Sequence, residues 1–270
     1  MAIRKYITKK KRVIDRALNM YLPSSKTRPQ IIHKAMRYAV FPGGKRIRPV
    51  LSVAAFEACG GKGNSIIPVA CAIELIHTYT LVHDDLPCMD NDDYRRGRLS
   101  CHKKFNEGLA VLAGDSLLTL AFQWLSETAG KDVINEVSKA IGSCGTVGGQ
   151  VEDTLNQKRK RAAKKRELDY IATHKTGSLF EVAVKAAGIF KGVGKKKIKA
   201  LANFGRYIGF TFQLVDDLVD GDGYVGIYDA GRVRKMAALL TERAKAHLDV
   251  FGKKGKRLAD IADLILQRAR

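Results

Sequence analysis

The sequence predicts an all-α protein, and three observations carry that expectation. Apolar residues recur at three- and four-residue steps through most of its 270 positions, the period of a helix face. Alternating strand patterns are scarce. Only six prolines interrupt the chain, and glycine clusters supply most of the punctuation.

In order, the segment from Met1 to Arg12 is basic, and no apolar signal core follows it. Pro42-Gly43-Gly44 breaks the chain ahead of Val50, Val53, Ala54 and Ala58, which share a helix face. Gly60-Gly61-Lys62-Gly63-Asn64 ends that element. The stretch Ile66 to Val82 is the richest in apolar residues, yet it carries Glu74 and His77 and runs at once into aspartates. It is expected to be a buried helix rather than a membrane span. On it Ile73, His77, Thr80 and Asp84 form one stripe, and Pro87 should end the helix. Asp90 is then free to bend back towards the same place.

Leu109, Leu112, Ala113 and Leu117 mark the next long helix, closed by Gly130. Further turns fall at Gly192-Val193-Gly194 and Gly221-Asp222-Gly223. Between them Gln213, Asp216, Asp217 and Asp220 share one helix face, with Phe212 one turn before Asp216. Leu258, Ile261, Ala262 and Ile265 make the last helix. No low-complexity linker and no tandem repeat divides the chain.

Composition bounds the function. The net charge is +21, concentrated in Lys9 to Arg12, Lys158 to Arg166, Lys195 to Lys197 and Lys253 to Arg257. These runs lack interleaved aromatics and any zinc-finger pattern, so a lysine-rich solvated surface is preferred to nucleic-acid binding. The five cysteines form no CxxC pair and no zinc-type spacing with histidine. They read as reduced thiols of a cytoplasmic protein.

Two aspartate clusters carry the chemistry. The first runs His83-Asp84-Asp85-Leu86-Pro87-Cys88-Met89-Asp90 and continues through Asn91-Asp92-Asp93-Tyr94-Arg95-Arg96-Gly97. The second is Asp216-Asp217-Leu218-Val219-Asp220. Carboxylates repel one another and resist burial, so apolar helices gather them where a cation neutralises them. Asp92 and Asp93 also fit a plain solvated loop. Carboxylate oxygens without histidine or thiolate favour Mg²⁺ or Mn²⁺, and such ions hold diphosphates. Arg95, Arg96, Lys45, Arg48 and Lys175 stand beside glycine turns or carboxylates, and together point to two anionic substrates.

The motifs Gly43-Gly44-Lys45-Arg46-Ile47-Arg48-Pro49, Glu74-Leu75-Ile76-His77-Thr78-Tyr79, the run His83 to Gly97, Ala113-Gly114-Asp115, Gly148-Gly149-Gln150, Lys175-Thr176-Gly177 and Phe212-Gln213 with the second cluster resemble those of the short-chain trans-isoprenyl diphosphate synthases. Farnesyl and geranylgeranyl diphosphate synthases belong to that family. The resemblance implies an isoprenoid synthase fold, a large helical bundle around a central active-site cavity, as one polyprenyl synthetase domain over 1–270 and usually as a homodimer. It also implies a Mg²⁺-dependent prenyltransferase with three ions per site, for which Mn²⁺ can substitute. An allylic diphosphate clamped between the clusters ionises, isopentenyl diphosphate attacks the allylic cation, and proton loss gives a product five carbons longer.

Carried over residue by residue, the resemblance implies metal ligands at Asp84, Asp85, Asp90, Asp216, Asp217 and Asp220. Arg95 and Lys175 are similar to holders of the allylic diphosphate. Lys45, Arg48, His77 and Arg96 are similar to the isopentenyl diphosphate pocket. Thr176 and Gln213 would stand by the reacting carbons. Tyr79, five residues before Asp84, and its neighbour Thr80 occupy the chain-length positions. A bulky ring there points to farnesyl diphosphate, with geranylgeranyl diphosphate as the alternative. The chain departs from the family after Asp220, where a longer loop with two lysine motifs is shortened and both lysines are missing. Arg232, Arg234 or Lys235 are the nearby replacements, and a non-catalytic regulatory subunit of a partner synthase is the further alternative. Peripheral membrane contact through the basic runs is compatible with all of these readings.

Overall fold

The computed structural model describes residues 2–41, 43–159 and 163–269. Pro42 of the first glycine turn and residues 160–162 of the basic run Lys158 to Arg166 lie outside the described residues. The helices are α1 (Ala2–Tyr21), α2 (Gln30–Val40), α3 (Ile47–Ala58), α4 (Ile67–Asp84), α5 (Cys101–Lys104), α6 (Glu107–Thr128) and α7 (Lys131–Ile141). They continue as α8 (Thr146–Gln157), α9 (Lys165–Ile171), α10 (Ser178–Lys191), α11 (Lys195–Asp220), α12 (Ala230–Ala246) and α13 (Lys256–Leu266). A π turn over Ala172–Gly177 joins α9 to α10, and short 3₁₀ turns cover Gly223–Gly226, Asp249–Gly255 and Gln267–Ala269. The one sheet among the described residues is a hairpin, β1 (Tyr94–Arg95) with β2 (Arg98–Leu99).

These elements group into two compact units. The amino-terminal unit gathers residues 4–50 and 67–130, and the carboxy-terminal unit gathers residues 2–3, 51–66 and 131–269.

In the amino-terminal unit α4 is the central helix. It is apolar nearly all round, and Val69, Ala70, Cys71, Ala72, Ile73, Leu75 and Ile76 are fully buried, as a helix without a polar face must be. It packs against α6 through a stripe of small and aliphatic residues, Ala110, Ala113, Gly114, Leu117 and Ala121. The stretch Ile66 to Val82 is thus a buried helix, as its polar interruptions predict. α6 is long and apolar enough to cross a membrane by length and composition, and its small-residue stripe is the face it turns to α4. Leu112, expected on that stripe, is 54% exposed. The helical phase turns it outward beside Val111.

Arg46 fastens this unit. It is almost completely buried, at positive φ, and donates from Nη1 to Glu74 Oε1 (2.6 Å), from Nε to Asp15 Oδ1 (3.0 Å) and from Nη2 to Val40 O (2.6 Å). One side chain therefore ties α1, the end of α2 and α4 to the glycine turn. Arg46 and Glu74 belong to the sequence motifs but serve the frame of the site.

In the carboxy-terminal unit the 26-residue α11 is central, packed against α10, α12, α13 and the π turn. A core cluster of Ala172, Leu214, Val215, Tyr224, Val233, Ala237 and Ala269 closes around its last turns. α13 buries Leu258, Ile261, Ala262 and Ile265, the stripe read from the sequence. Gly192 ends α10 and Gly221 ends α11, both in the left-handed region, where glycine carries no Cβ penalty.

Candidate active site

The first aspartate cluster lies where α4 stops. Pro87 cannot continue the helix, and the chain folds back so that Asp90 N donates to Asp84 O at 2.9 Å. Asn91, at positive φ, completes the turn through Leu86 O. Asp84 and Asp85 are buried and Asp90 is half-buried. Burial pushes the Asp85 carboxyl above the usual carboxylate range, against the pull of Arg95.

The β1–β2 hairpin positions the arginines. Arg96 and Gly97 both take positive φ, the tight turn that suits a right-handed strand pair. Arg95 then reaches Asp85 Oδ1 through Nε (2.8 Å) and Nη2 (2.5 Å), and Asp92 Oδ2 through Nη2 (2.7 Å). Asp93 pairs with Lys103 instead, so one member of the supposed loop pair serves Arg95. Arg96 Nη1 donates to Gly43 O at 2.6 Å. Gly44 takes φ +131°, a conformation that side-chain-bearing residues rarely adopt, which explains the glycine physically.

Arg48 Nη1 lies 3.3 Å from His77 Nε2. Burial, and then Arg48 with its neighbouring arginines, lowers the His77 pKa well below the ordinary value. The imidazole is therefore neutral, and Nε2 can accept from Arg48 when Nδ1 carries the proton. Lys45 is exposed on the loop. Thr80 turns its hydroxyl to His77 O (2.8 Å). Tyr79 is buried and stands edge-on to His83, ring centres 5.7 Å apart. A narrow pocket in this unit is lined by Tyr38, Thr78, Val82, Asp85, Arg95 and Arg96, among others; Tyr79 is not in its lining.

The second cluster sits in the last turns of α11. Asp216 is half-buried, Asp217 buried and Asp220 exposed. Asp217 is held at both oxygens: Gln213 Nε2 donates to Oδ1 (2.7 Å) and Tyr224 N donates to Oδ2 (2.9 Å). Burial still pushes its carboxyl up. Gln213 in turn accepts from Thr176 Oγ1 at 2.7 Å, so the π turn and α11 are joined by one amide. π turns often accompany functional sites, and this one presents Lys175, whose Nζ donates to Asp153 Oδ2 at 2.6 Å. A Cβ on Gly149 would stand 2.0 Å from Lys175 N. The second glycine of Gly148-Gly149-Gln150 is therefore what lets α8 meet the turn.

Sequence reading missed three residues of this site. Asp153 follows Gln150 by three positions, so helical spacing could have placed it. Tyr224 and Arg268 left no local signal: Arg268 Nη2 donates to Asp216 Oδ1 at 2.8 Å across a separation of 52 residues. Arg232 covers the Tyr228 ring, Arg234 Nε donates to Ala269 O, and Lys235 is exposed.

Among the described residues no three His, Cys, Asp or Glu side chains are gathered tightly enough to hold an ion unaided. Mg²⁺ would need only one or two carboxylates here, with water and substrate phosphate completing its shell. Buried carboxyls with raised pKa, Asp85 and Asp217, are also groups that an adjacent cation would return to the charged form.

A helical fold with an aspartate-rich helix end in each unit, each paired with an arginine, is what the resemblance to the isoprenoid synthases leads one to expect. Comparison with known proteins agrees. The polyprenyl synthetase family model matches residues 29–225. Geranylgeranyl pyrophosphate synthase 4 of Arabidopsis thaliana is 44% identical over 221 residues, covering 80% of this chain and 59% of that protein. Farnesyl diphosphate synthase of Geobacillus stearothermophilus is 34% identical over 295 positions, covering 99% of this chain and 98% of that enzyme. The crystal structure of a farnesyl/geranylfarnesyl (FPP/GFPP) synthase from Zymomonas mobilis superposes with a TM-score of 0.93 at 35% identity, covering 98% and 99% of the two chains. The chain belongs to the polyprenyl synthetase family, a family of prenyltransferases. It spans only 59% of the Arabidopsis protein. Alignment with the Geobacillus enzyme needs 295 positions for a chain of 270, leaving at least 25 opposite gaps.

Proposed function

We propose that this protein condenses isopentenyl diphosphate with an allylic diphosphate, dimethylallyl or geranyl, and ends at farnesyl diphosphate. The observation that carries the reading is the pairing of Arg95 with Asp85. A phosphate-binding cation rests on a buried carboxylate suited to a metal, so each is ready for the charge the other brings. Lys175 likewise rests on a carboxylate, the half-buried Asp153, in the other unit.

In this reading Asp84, Asp85, Asp90, Asp216, Asp217 and Asp220 hold Mg²⁺, with Mn²⁺ as a substitute. The ions would neutralise the charge that builds on the leaving diphosphate. Arg95 and Lys175 hold the allylic diphosphate, while Lys45, Arg48, His77 and Arg96 hold isopentenyl diphosphate. Neutral His77 adds a hydrogen bond there without adding charge. Thr176 donates its proton to Gln213, which leaves its oxygen dipole available to a developing carbocation. As the carbon–oxygen bond breaks, the electron pair leaves with diphosphate. The double bond of isopentenyl diphosphate forms the new carbon–carbon bond, and the resulting cation loses a proton.

Tyr79 favours a fifteen-carbon product, because its ring fills space near the aspartates. The name of the Arabidopsis relative favours geranylgeranyl diphosphate instead. A cytoplasmic setting is supported by five unpaired cysteines, among which burial pushes the Cys59 thiol up to about 11. Homodimer formation is supported by the exposed apolar row Val147, Val151 and Leu155 on α8.

Purified protein incubated with Mg²⁺, isopentenyl diphosphate and each allylic diphosphate tests the reading, with products dephosphorylated and sized. A fifteen-carbon alcohol supports it, and a twenty-carbon alcohol keeps the enzyme but changes its product. No condensation from folded protein overturns it in favour of a non-catalytic subunit.

A further inference from the structure

We propose that Arg268 is the cation that holds diphosphate at the second aspartate cluster, in place of the lysine motifs missing after Asp220. The inference rests on the prenyltransferase reading above. Arg268 lies in the turn Gln267–Ala269, far from α11 in sequence, yet its Nη2 donates to Asp216 Oδ1 at 2.8 Å. The guanidinium also lies over the ring of Phe212, 5.1 Å from its centre. Phe212 stands one turn before Asp216, so ring and carboxylate fix the plane of the guanidinium together.

The backbone beside it is equally fixed. Arg234 donates to Ala269 O at 3.0 Å, and Ala269 is buried in the core cluster with Leu214, Val215 and Tyr224. This cation is therefore delivered by the fold rather than left on a loose end.

Two features point outward to a ligand. Arg268 Nη1 is buried and has no hydrogen-bond partner, and a buried donor of that kind marks a place for an acceptor. Diphosphate oxygens match the arginine fork, which can bond two of them side by side. A cation bound at Asp216 would compete for the carboxylate that Arg268 holds, and the diphosphate carried by that cation would offer the guanidinium another acceptor. Arg232 covers the Tyr228 ring and Arg234 donates to Ala269 O, whereas Arg268 is paired with a carboxylate of the second cluster itself.

The test is calorimetric titration of the full chain with inorganic pyrophosphate in Mg²⁺, beside steady-state kinetics. Arg268→Gln and Arg268→Met should each weaken pyrophosphate binding by about 10- to 100-fold. The KM for allylic diphosphate should rise in parallel, and that for isopentenyl diphosphate should stay within about twofold. Arg268→Lys should recover part of the loss, Lys235→Gln should change nothing, and melting temperatures should stay within about 3 °C. Unchanged pyrophosphate affinity in either neutral variant, with wild type active, overturns this proposal alone. Tighter binding or faster turnover overturns it as well, because Arg268 would then be a plug. Folded wild type that neither binds pyrophosphate nor condenses substrates overturns the prenyltransferase reading and this inference with it.

Discussion

Arg95 lies on Asp85 with Nε 2.8 Å from Oδ1, and the carboxylate beneath it is almost fully buried. A buried acid beside a single arginine is held between two states, since burial favours the neutral form and the guanidinium the charged one. The raised pKa of Asp85 shows that burial prevails. Asp85→Asn should therefore cost little stability, because it removes a charge the fold disfavours. Turnover should fall by roughly 10³-fold or more if Asp85 meets a metal that stabilises the leaving group. Steady-state assays beside urea melts separate the two effects. Near-normal turnover in Asp85→Asn, or in Asp84→Ala, would sink the metal assignment.

Arg46 and Glu74 make the opposite prediction. Both are buried, and each completes the other at 2.6 Å. Removing Arg46 leaves Glu74 as an uncompensated buried charge, which costs roughly 3–5 kcal/mol, whereas Arg46 without Glu74 keeps the half-buried Asp15. Arg46→Met should show that loss in equilibrium denaturation, and Glu74→Leu a smaller one. The double variant should be less destabilised than their sum, because neither charge is then left alone. Strict additivity would mean the pair is not coupled.

His77 gives the pH dependence. Its folded pKa is depressed, by burial and then by Arg48, so the unfolded chain takes up a proton first as pH falls. Stability from neutral His77 is complete above about pH 6.5. It is lost as pH drops from there towards the folded pKa, with a slope of at most about 1.4 kcal/mol per pH unit. Urea midpoints measured from pH 5 to 8 should carry that slope below about pH 6.5 in wild type, flatten above it, and lose the slope in His77→Gln. An identical slope in both would assign it to other groups.

How much of this was legible follows from how local each signal is. Pro87 announced the end of α4, and the steps between Ile73, His77, Thr80 and Asp84 announced its face, because both rest on neighbours along one helix. The hairpin did not announce itself: its turn puts Arg96, rather than asparagine or glycine, at positive φ. The π turn adds one residue to a helical path and changes no composition. Arg268 was out of reach altogether. Its partner lies 52 residues away, and only the packing of Ala269 beneath α12 brings them together. Leu112 fell on the exposed side of α6 because an apolar spacing does not say which of two adjacent phases is buried.

Gly149 tests the close approach at Lys175. A methyl group there would meet backbone, 2.0 Å from Lys175 N, and backbone cannot swing aside as a flexible side chain would. Gly149→Ala should cost about 1–3 kcal/mol as an overpacked contact. It should also shift Lys175 from Asp153 and raise the KM for the allylic substrate. Gly148→Ala is the comparison, since its Cβ would crowd Ser143 O instead and should leave the allylic KM closer to wild type. Equal effects on KM would remove Lys175 from the account.

Tyr79 is the residue on which the product reading turns. It is 7% exposed, and burial followed by the nearby Asp84 raises its hydroxyl pKa. The ring is thus a neutral, rigid block on the helix that carries the first aspartates, standing edge-on to His83. If that block limits the growing chain, Tyr79→Ala should open room for another isoprene unit. The main product should then pass from fifteen carbons to twenty or more, with the allylic KM little changed because no phosphate contact is lost. Stability should fall by roughly 3–5 kcal/mol, the usual result of deleting a buried ring. Tyr79→Phe should keep both product and fold, since only the hydroxyl is removed. Chromatography of the dephosphorylated products reads the outcome directly. An unchanged product from a folded Tyr79→Ala would make the tyrosine plain core, and would move the length limit to the pocket lined by Thr78 and Val82.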